Sequence, residues 1–484
     1  MKKLSQILSN TNTLNQGAWK DSDIKKISFD SRAVDADTLF VAICGSTVDG
    51  HDYISQVIEK GCKNIIVSKK QDASLANFVL VENTSIALAE TAHSFYDNPS
   101  KDLKVIGITG TNGKTTCTTL LHDLFTALGH KSGLVSTVVN KIGTEKSPST
   151  HTTPNPVALA ELFAQMRDAD CEYVFMEVSS HAIHQNRIAS VDFDIAAFTN
   201  ITHDHLDYHK TFKAYIDVKK ALFDNLKKEA FALTNIDDKN GKVILQNTKA
   251  TKYSYALKTP SDYKGKIIEN ELSGLVLQIN NTEVYTRLIG KFNAYNLLTV
   301  YAIAELLGED KMEILTAISQ LKSVEGRFEF FKSQKDITCI VDYAHTPDAL
   351  KNVLSTIQSF QKDKNIITVV GCGGDRDKTK RPIMAQIASE MSQKVILTSD
   401  NPRTESPQTI LEEMEAGVLE SHSSDTLSIL NRKDAIKTAI MLSQPGDIVL
   451  IAGKGHEKYQ DIKGIKHPFD DLAIAHELFT KMKK

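Results

Sequence analysis

Residues 104–116 read KVIGITGTNGKTT, and this stretch decides the fold. The apolar run at 104–108 predicts a buried strand, the glycines after it predict a tight turn, and a helix is predicted from Lys114 to Leu128. Backbone N–H groups at such a turn point at phosphate oxygens, and the helix N-terminus adds its positive end. The sequence therefore predicts a nucleotide-phosphate loop with these members: Gly110, Thr111, Asn112, Gly113, Lys114, Thr115 and Thr116.

Two side chains of this loop carry specific chemistry. Lys114 can reach the terminal phosphates of a nucleotide, and the hydroxyl of Thr115 can bind Mg²⁺. The spacing is a variant of the common phosphate-loop pattern, because Ile108 stands where that pattern has glycine. The alternative is a glycine-rich turn without a ligand, which the Gly-Lys-Thr-Thr ending after a strand disfavours.

Strands and helices alternate on both sides of the loop. Apolar strands are predicted at 173–178 and 195–200, and strand–helix alternation of this kind predicts a parallel, doubly wound sheet. Short alternating runs at 250–290 predict a small antiparallel excursion within it. The alternation restarts at about residue 332 with ITCIVDY, NIITVVG, KVILTSD and DIVLIAGKG.

We therefore predict an α/β protein of three domains, which agrees with a length of 484 residues. The N-terminal domain (1–100) is a small α/β unit, and the central domain (101–331) is a doubly wound sheet with the phosphate loop. The C-terminal domain (332–484) is a Rossmann-like α/β unit. Ligands of open α/β sheets bind at the carboxyl ends of the strands, where the polar loops of this chain lie.

Composition excludes several classes of function. With 57 Lys+Arg against 60 Asp+Glu, the chain has no overall positive charge for nucleic acid or an anionic membrane. The six cysteines show no zinc spacing. No apolar run near the start resembles a signal peptide, and none reaches the roughly 18 residues of a membrane span. We expect a cytoplasmic monomer that binds neither nucleic acid nor membrane.

Five motifs in order resemble the Mur ligase family, the ATP-dependent amide ligases that build the peptidoglycan stem peptide. They are GTNGKTT (110–116), EVSSH (177–181), TNITHDHLDYH (199–209), GKFNAYN (290–296) and DYAHTPD (342–348). The resemblance implies an N-terminal domain that binds a uridine nucleotide, a central ATPase domain and a C-terminal domain that binds the incoming amino acid.

The same resemblance implies the ATP and Mg²⁺ sites. Glu177 and His205 would bind Mg²⁺ with Thr115, and zinc is disfavoured because the three histidines of HDHLDYH have unsuitable spacing. Lys219 would react with carbon dioxide to form N6-carboxylysine, an anion that can also bind the metal; the neighbouring Lys220 is the alternative. The nucleoside would be bound by Asn293, Asn296, Arg327 and Asp342.

The UDP-linked substrate would contact the first two domains. The motifs FDSR and GSTVDG and the threonines after residue 150 correspond to the stretches that hold it in similar family members. Serines and threonines in turns are more often local backbone partners, so only the ordered set favours this role. The predicted residues are Phe29, Ser31, Ser46, Thr47, Val48, His151, Thr152, Thr153, Ser179, Gln185 and Arg187.

Motifs in the third domain resemble those of members that add meso-diaminopimelate to UDP-N-acetylmuramoyl-L-alanyl-D-glutamate through an acyl phosphate. The corresponding residues are Arg376, Asp400, Asn401, Pro402, Arg403, Gly453 and Glu457. Alternatives are a member that adds L-lysine and a ligase similar to folylpolyglutamate synthetase. A non-catalytic nucleotide-binding module is disfavoured because Glu177, His205 and Lys219 are all present.

Overall fold

Three large β-sheets organise the protein in a computed structural model that describes residues 1–45, 48–360 and 364–484. Each sheet has buried apolar side chains on both faces. Each is covered by helices, as is required for largely parallel sheets. The predicted α/β fold class is confirmed. Among the described residues, no helix is long and apolar enough to cross a membrane.

The first sheet is a four-stranded parallel sheet in the order β3-β4-β5-β6. Helix α3 begins after Asn83, whose side chain accepts hydrogen bonds from two backbone N–H groups of the first turn. The elements are β1 Lys2–Lys3, α1 Leu4–Ile7, β2 Asp23–Ile24, β3 Lys26–Ser28, β4 Thr38–Val41, α2 Ile54–Glu59, β5 Asn64–Val67, β6 Asn77–Leu80 and α3 Thr84–Phe95.

The central sheet has eleven strands in the order β10-β9-β8-β11-β7-β12-β13-β14-β15-β16-β17. Its strands are β7 Lys104–Thr109, β8 Ser132–Val135, β9 Val139–Ile142, β10 Glu145–Pro148, β11 Tyr173–Glu177, β12 Ile195–Phe198, β13 Phe231–Asn235, β14 Thr251–Ala256, β15 Tyr263–Glu271, β16 Gly274–Ile279 and β17 Thr282–Thr286. Its helices are α4 Lys114–Ala127, α5 Pro156–Asp168, α6 Ser180–His184, α7 Leu206–His209, α8 Phe212–Asp224, α9 Gly241–Ile244, α10 Lys291–Leu306 and α11 Lys311–Gln320.

The predicted antiparallel excursion is a continuation of this sheet. Strand β14 pairs in parallel with β15, and β15, β16 and β17 then form antiparallel pairs. One sheet therefore runs without interruption from the phosphate-loop strand to these hairpins.

The third sheet has six strands in the order β18-β19-β23-β20-β21-β22. It begins with β18, slightly before the boundary predicted at residue 332. Its strands and those of an adjoining hairpin are β18 Glu329–Lys332, β19 Thr338–Asp342, β20 Ile366–Cys372, β21 Lys394–Ser399, β22 Thr426–Ser428, β23 Ile448–Ala452, β24 Tyr459–Ile462 and β25 Ile465–Pro468. Its helices are α12 Pro347–Phe360, α13 Lys380–Met391, α14 Pro407–Glu415, α15 Arg432–Leu442 and α16 Asp471–Met482.

Candidate active site

Three loops of the central sheet leave its edge side by side. Strand β7 lies between β11 and β12, and all three are parallel. The phosphate loop after β7, the residues after Glu177 and the loop at 199–205 therefore converge at the carboxyl ends of neighbouring strands. This is the position where open α/β sheets bind ligands.

The phosphate loop approaches the loop after β12 too closely for a side chain at Gly110. Gly110 has φ +150°, and a Cβ atom there would lie 1.9 Å from the hydroxyl of Thr199. Lys114 begins helix α4, and its ammonium group donates to the carbonyls of Gly110 and Thr111, both at 2.8 Å. Burial lowers the pKa of Lys114, while Glu177 and Asp204 oppose that shift. The cation is thus held beside the loop that would surround phosphate.

Glu177 ends strand β11 and is only 1% exposed. Its Oε1 accepts a hydrogen bond from the backbone N–H of Thr137 at 2.7 Å. Its Oε2 is buried and has no hydrogen-bond partner within the described parts of the chain. A buried carboxylate oxygen without a partner is costly unless a cation completes it. Glu177 lines a small cavity beside the phosphate loop and therefore fits the role of a ligand for a divalent cation there.

His205 faces the same cavity from the loop after β12. Its backbone is left-handed (φ +55°), and its ring lies 3.4 Å from the carboxylate of Asp204. Burial lowers the pKa of His205 to about 3, so the imidazole is neutral at physiological pH. A neutral ring nitrogen is the form that binds metals.

The structure distinguishes Lys219 from Lys220. Lys219 is 1% exposed, and its amine lies 2.9 Å from the Gly110 carbonyl and 4.9 Å from the centre of the Tyr215 ring. Lys220 forms an ion pair with Asp224 at 2.6 Å instead. Burial and the charge of Lys114 lower the pKa of Lys219 well below its ordinary value. A neutral amine beside the phosphate loop is therefore favoured at Lys219.

A larger cavity of about 790 Å³ adjoins the phosphate loop between the central and third sheets. Asn296, Arg327 and Asp342 line it, together with Asn112, Gly113 and Thr116 of the loop. Asn293 lies behind Asn296. Its side-chain oxygen accepts a hydrogen bond from the Asn296 side-chain nitrogen at 3.1 Å. Direct contact of Asn293 with a nucleoside thus stays a prediction, and the structure gives it a supporting position.

Arg327 lies where the two cavities meet, because it lines both. Its guanidinium donates to the Thr115 hydroxyl at 3.2 Å and stacks over the Tyr343 ring, with Cζ 4.4 Å from the centre. The Asp342 carboxylate accepts a hydrogen bond from the backbone N–H of Phe328 at 2.6 Å. Burial raises the pKa of Asp342 to about 6. This contact fixes the segment that joins the central and third sheets.

Loops of the third sheet form the opposite wall of a smaller cavity of about 240 Å³. Strands β19, β23, β20 and β21 are parallel neighbours, so the loops that follow them lie together. Six of the residues predicted to bind the incoming amino acid line this cavity: Arg376, Asp400, Asn401, Arg403, Gly453 and Glu457. The phosphate loop, Glu177, His205 and Lys219 line it from the other side. Residues predicted for two different substrates thus face one cavity.

The backbone around Arg403 is held by the hairpin of β24 and β25. Arg403 has φ +50°; its backbone N–H donates to the Asp461 carbonyl at 3.0 Å, and its carbonyl accepts from Lys463 at 2.7 Å. Its guanidinium donates to the Gly374 carbonyl at 2.6 Å. Pro402 is buried in the same loop and does not line the cavity. The hairpin therefore sets the direction of the arginine.

The residues predicted to hold the UDP-linked substrate lie in different parts of the structure. Thr152 and Ser179 line the small cavity, and a hydrogen-bonded network behind them contains Thr153, Gln185 and Arg187. His151 is exposed beside them. Phe29, Ser31 and Val48 belong to the first part of the chain and line neither cavity. Ser46 and Thr47 lie outside the described residues.

Two direct contacts connect the central loops to the third sheet. The Asn112 side chain donates to the Asp348 carboxylate at 3.0 Å, and the His203 ring lies 2.9 Å from the Asp377 carboxylate. Asn112 and Asp348 both line the larger cavity. In this structure the third sheet is therefore closed over the phosphate loop.

Sequence reasoning missed several side chains of the site. Lys380 and His345 line the small cavity, and the Lys380 amine donates to the His345 carbonyl at 3.0 Å. Lys454 is buried against Asn401 and Glu457. Lys454 lies inside the run DIVLIAGKG (447–455), which predicts a strand and its loop, whereas no motif named above contains Lys380. Lysine side chains are usually solvated, and only the packing of the folded chain shows that Lys380 and Lys454 are buried.

Three family models match consecutive parts of the chain. A model described as the Mur ligase middle domain matches residues 108–304, and one described as Mur ligase, glutamate ligase domain matches residues 326–455. A model described as Mur ligase family, catalytic domain matches residues 23–96.

Individual proteins resemble the chain over nearly its whole length. A protein of Cytophaga hutchinsonii named UDP-N-acetylmuramoyl-L-alanyl-D-glutamate--2,6-diaminopimelate ligase is 52% identical over 467 residues, 96% of each chain. A protein of Bacteroides fragilis with the same name is 49% identical over 99% of each chain. A solved structure of a ligase with that name has a TM-score of 0.67 and 30% identity, over 95% of this chain and 96% of its own.

Proposed function

The chain belongs to the Mur ligase family, and from that premise we propose that it joins meso-diaminopimelate to the D-glutamate γ-carboxylate of UDP-N-acetylmuramoyl-L-alanyl-D-glutamate. As a member of this family it is an enzyme, an ATP-dependent ligase of an acid and an amino acid. One observation carries the specific proposal: the phosphate loop and Arg403 face one cavity of about 240 Å³. An activated carboxylate and an amino acid held by Arg403 would meet there.

The first step is attack of the γ-carboxylate oxygen on the γ-phosphate of ATP, which gives an acyl phosphate and ADP. Lys114 and Arg327 both line the small cavity at the phosphate loop, and their positive charges offset the negative charge that collects on the transferred group. Asn296 lines the larger cavity, in which the nucleoside would lie. Positioning of the two reactants supplies much of the rate.

Mg²⁺ is proposed as the cofactor because the residues present fit it. The ligands would be Thr115, Glu177 through Oε2, which has no hydrogen-bond partner among the described residues, the neutral His205 and Lys219 as N6-carboxylysine. Bound there, the ion would supply positive charge beside the β- and γ-phosphates.

In the second step the amine of diaminopimelate attacks the acyl carbon, the amide bond forms and inorganic phosphate leaves. The far end of diaminopimelate carries a carboxylate and an ammonium group. Arg403 would bind the carboxylate, while Asp400 and Glu457 would attract the ammonium group. Closure of the third sheet over the phosphate loop excludes water, which would otherwise hydrolyse the acyl phosphate.

We predict that ADP release depends on both other substrates. With ATP and Mg²⁺ present, release should need the UDP-linked dipeptide together with meso-diaminopimelate and fall to background when either is omitted. A coupled assay for ADP, with mass analysis of the product, measures this. Equal rates with L-lysine would favour the lysine-adding alternative. Turnover with a folate and glutamate would favour the folylpolyglutamate alternative.

We predict that Lys219→Ala lowers the ligation rate by about 100-fold, because the cavity loses the anion that the carbamate would provide. Added acetate or formate should restore part of the rate by occupying the vacated position. Lys220→Ala is the matched control, since Lys220 is the next residue and pairs with Asp224. It should retain nearly full activity. Full activity in Lys219→Ala, or no rescue by any short carboxylate, would contradict the carbamate.

A further inference from the structure

Lys454 lies two residues after the end of strand β23 and is wholly buried, with 0% of its surface exposed. Its ammonium group donates to the Asn401 side-chain oxygen at 3.0 Å and to Glu457 Oε2 at 3.2 Å. Asp400 Oδ1 lies 3.7 Å away. One buried cation therefore contacts three polar residues of the amino-acid side of the cavity.

These contacts fix the orientation of the Asn401 amide. Its oxygen accepts from Lys454 and from the backbone N–H of Asp461, the latter at 2.9 Å. Its nitrogen can then only face Glu457 Oε2, to which it donates at 2.7 Å. An apolar side chain at position 454 would remove one of the two donors that keep the amide in this orientation.

Close packing brings the lysine to this place. Gly453 has φ +117°, and a Cβ atom there would lie 2.7 Å from Asp400 Oδ2. The chain can therefore pass directly beneath Asp400, and Lys454 extends into the space behind the carboxylates. A lysine with no exposed surface, surrounded by cavity-lining acids, has no role in solubility and requires another explanation.

We propose that Lys454 is a positioning residue, which holds Asn401, Asp400 and Glu457 in the arrangement that receives the far ammonium end of the amino-acid substrate. This inference rests on the proposed function. Two carboxylates close together repel each other, and the buried ammonium group between them offsets this repulsion. The pair plus one lysine has a net negative charge, and an incoming ammonium group would neutralise it.

Electrostatics around Glu457 supports this role. Burial and the neighbouring Asp400 raise the pKa of Glu457, whereas Lys454 and Asn401 lower it. Other groups nearby are the Tyr343 hydroxyl, the Tyr459 ring and the Arg432 guanidinium. Without Lys454 the pKa of Glu457 would rise further, which weakens the ion pair that Glu457 can form with an ammonium group.

The test compares Michaelis constants in the full-length enzyme. For Lys454→Met, the KM for meso-diaminopimelate should rise on the order of 100-fold. The kcat and the KM values for ATP and the UDP-linked dipeptide should change by less than about threefold. The excess KM of the variant over the wild type should be smaller at higher pH, because the pKa of Glu457 is raised and deprotonation strengthens its pairing with the ammonium group. Lys454→Gln, which keeps a hydrogen-bond donor, is measured in its place if the methionine variant does not fold.

Lys466→Met is the matched control. Lys466 is exposed on strand β25 and lies over the same Tyr459 ring at 4.3 Å, against 5.6 Å for Lys454. It should leave all three KM values unchanged. An unchanged KM for meso-diaminopimelate in the Lys454 variant, or an equal rise for all three substrates, would overturn the positioning role while the proposed function stands. A wild-type enzyme that does not use meso-diaminopimelate would overturn both.

Discussion

Replacing Lys114 by alanine is expected to lower ATP-dependent ligation by about 10³-fold in a protein that stays folded. Lys114 is the first residue of helix α4, and its ammonium group lies 2.8 Å from each of two phosphate-loop carbonyl oxygens. No other lysine of the loop could take its place, because 110–116 contains only this one. Initial rates of ADP and product formation measure the effect.

The matched control for this prediction is Lys104→Ala. Lys104 begins the same strand, β7, at its opposite end, where it pairs with Asp194 at 3.2 Å on the surface. Surface pairs contribute little to stability, so both its activity and its melting temperature should stay close to wild type. Near-normal turnover in a folded Lys114→Ala enzyme would contradict the assignment of the loop to ATP phosphates.

The largest effect on substrate choice is expected at Arg403. The wild type should prefer meso-diaminopimelate to L-lysine by roughly 10⁴-fold in kcat/KM, because lysine lacks the second carboxylate that the guanidinium would bind. Arg403→Ala should remove most of this preference by raising the KM for meso-diaminopimelate, with a smaller change in the KM for ATP. Competition between the two amino acids in one reaction, followed by mass analysis, gives the ratio directly.

Arg403→Lys separates charge from geometry. Lysine keeps the positive charge but cannot form the two parallel hydrogen bonds of a guanidinium with a carboxylate. It should therefore recover only part of the selectivity. Equal use of the two amino acids by the wild type would show that Arg403 does not determine the choice.

The local fold around the phosphate loop could be predicted closely from sequence. Helix α4 ends at Ala127, one residue before the predicted Leu128. The prediction is this close because the apolar residues and glycines that indicate the strand, turn and helix are neighbours in the sequence. The pairing of β14 with β15 could not be predicted, since it joins the antiparallel hairpins to the main sheet through contacts that no local pattern records. The same limit applies to the order of strands in each sheet.

The candidate site shows a similar division. The motifs indicate which loops matter, because glycines, acids and histidines stand at the ends of apolar strands. They do not show which side chain of a loop faces the cavity: Lys219 does and Lys220 pairs with Asp224, and Asn296 lines a cavity while Asn293 lies behind it. The burial of Lys454 depends on how β23, β21 and the hairpin pack together. Such contacts follow from the assembled fold.

The hydrogen bond from Asn112 to Asp348 has a consequence for how the substrates influence one another. Asn112 belongs to the phosphate loop and Asp348 to helix α12, so the bond exists only when the third sheet is closed over the loop. If the nucleotide and the amino acid each bind the closed arrangement more tightly, a nucleotide that favours closure increases the affinity for the amino acid. Thermodynamic linkage requires the amino acid to increase the affinity for the nucleotide by the same factor. Two ligands that both favour the closed arrangement would therefore bind cooperatively without a direct contact between them.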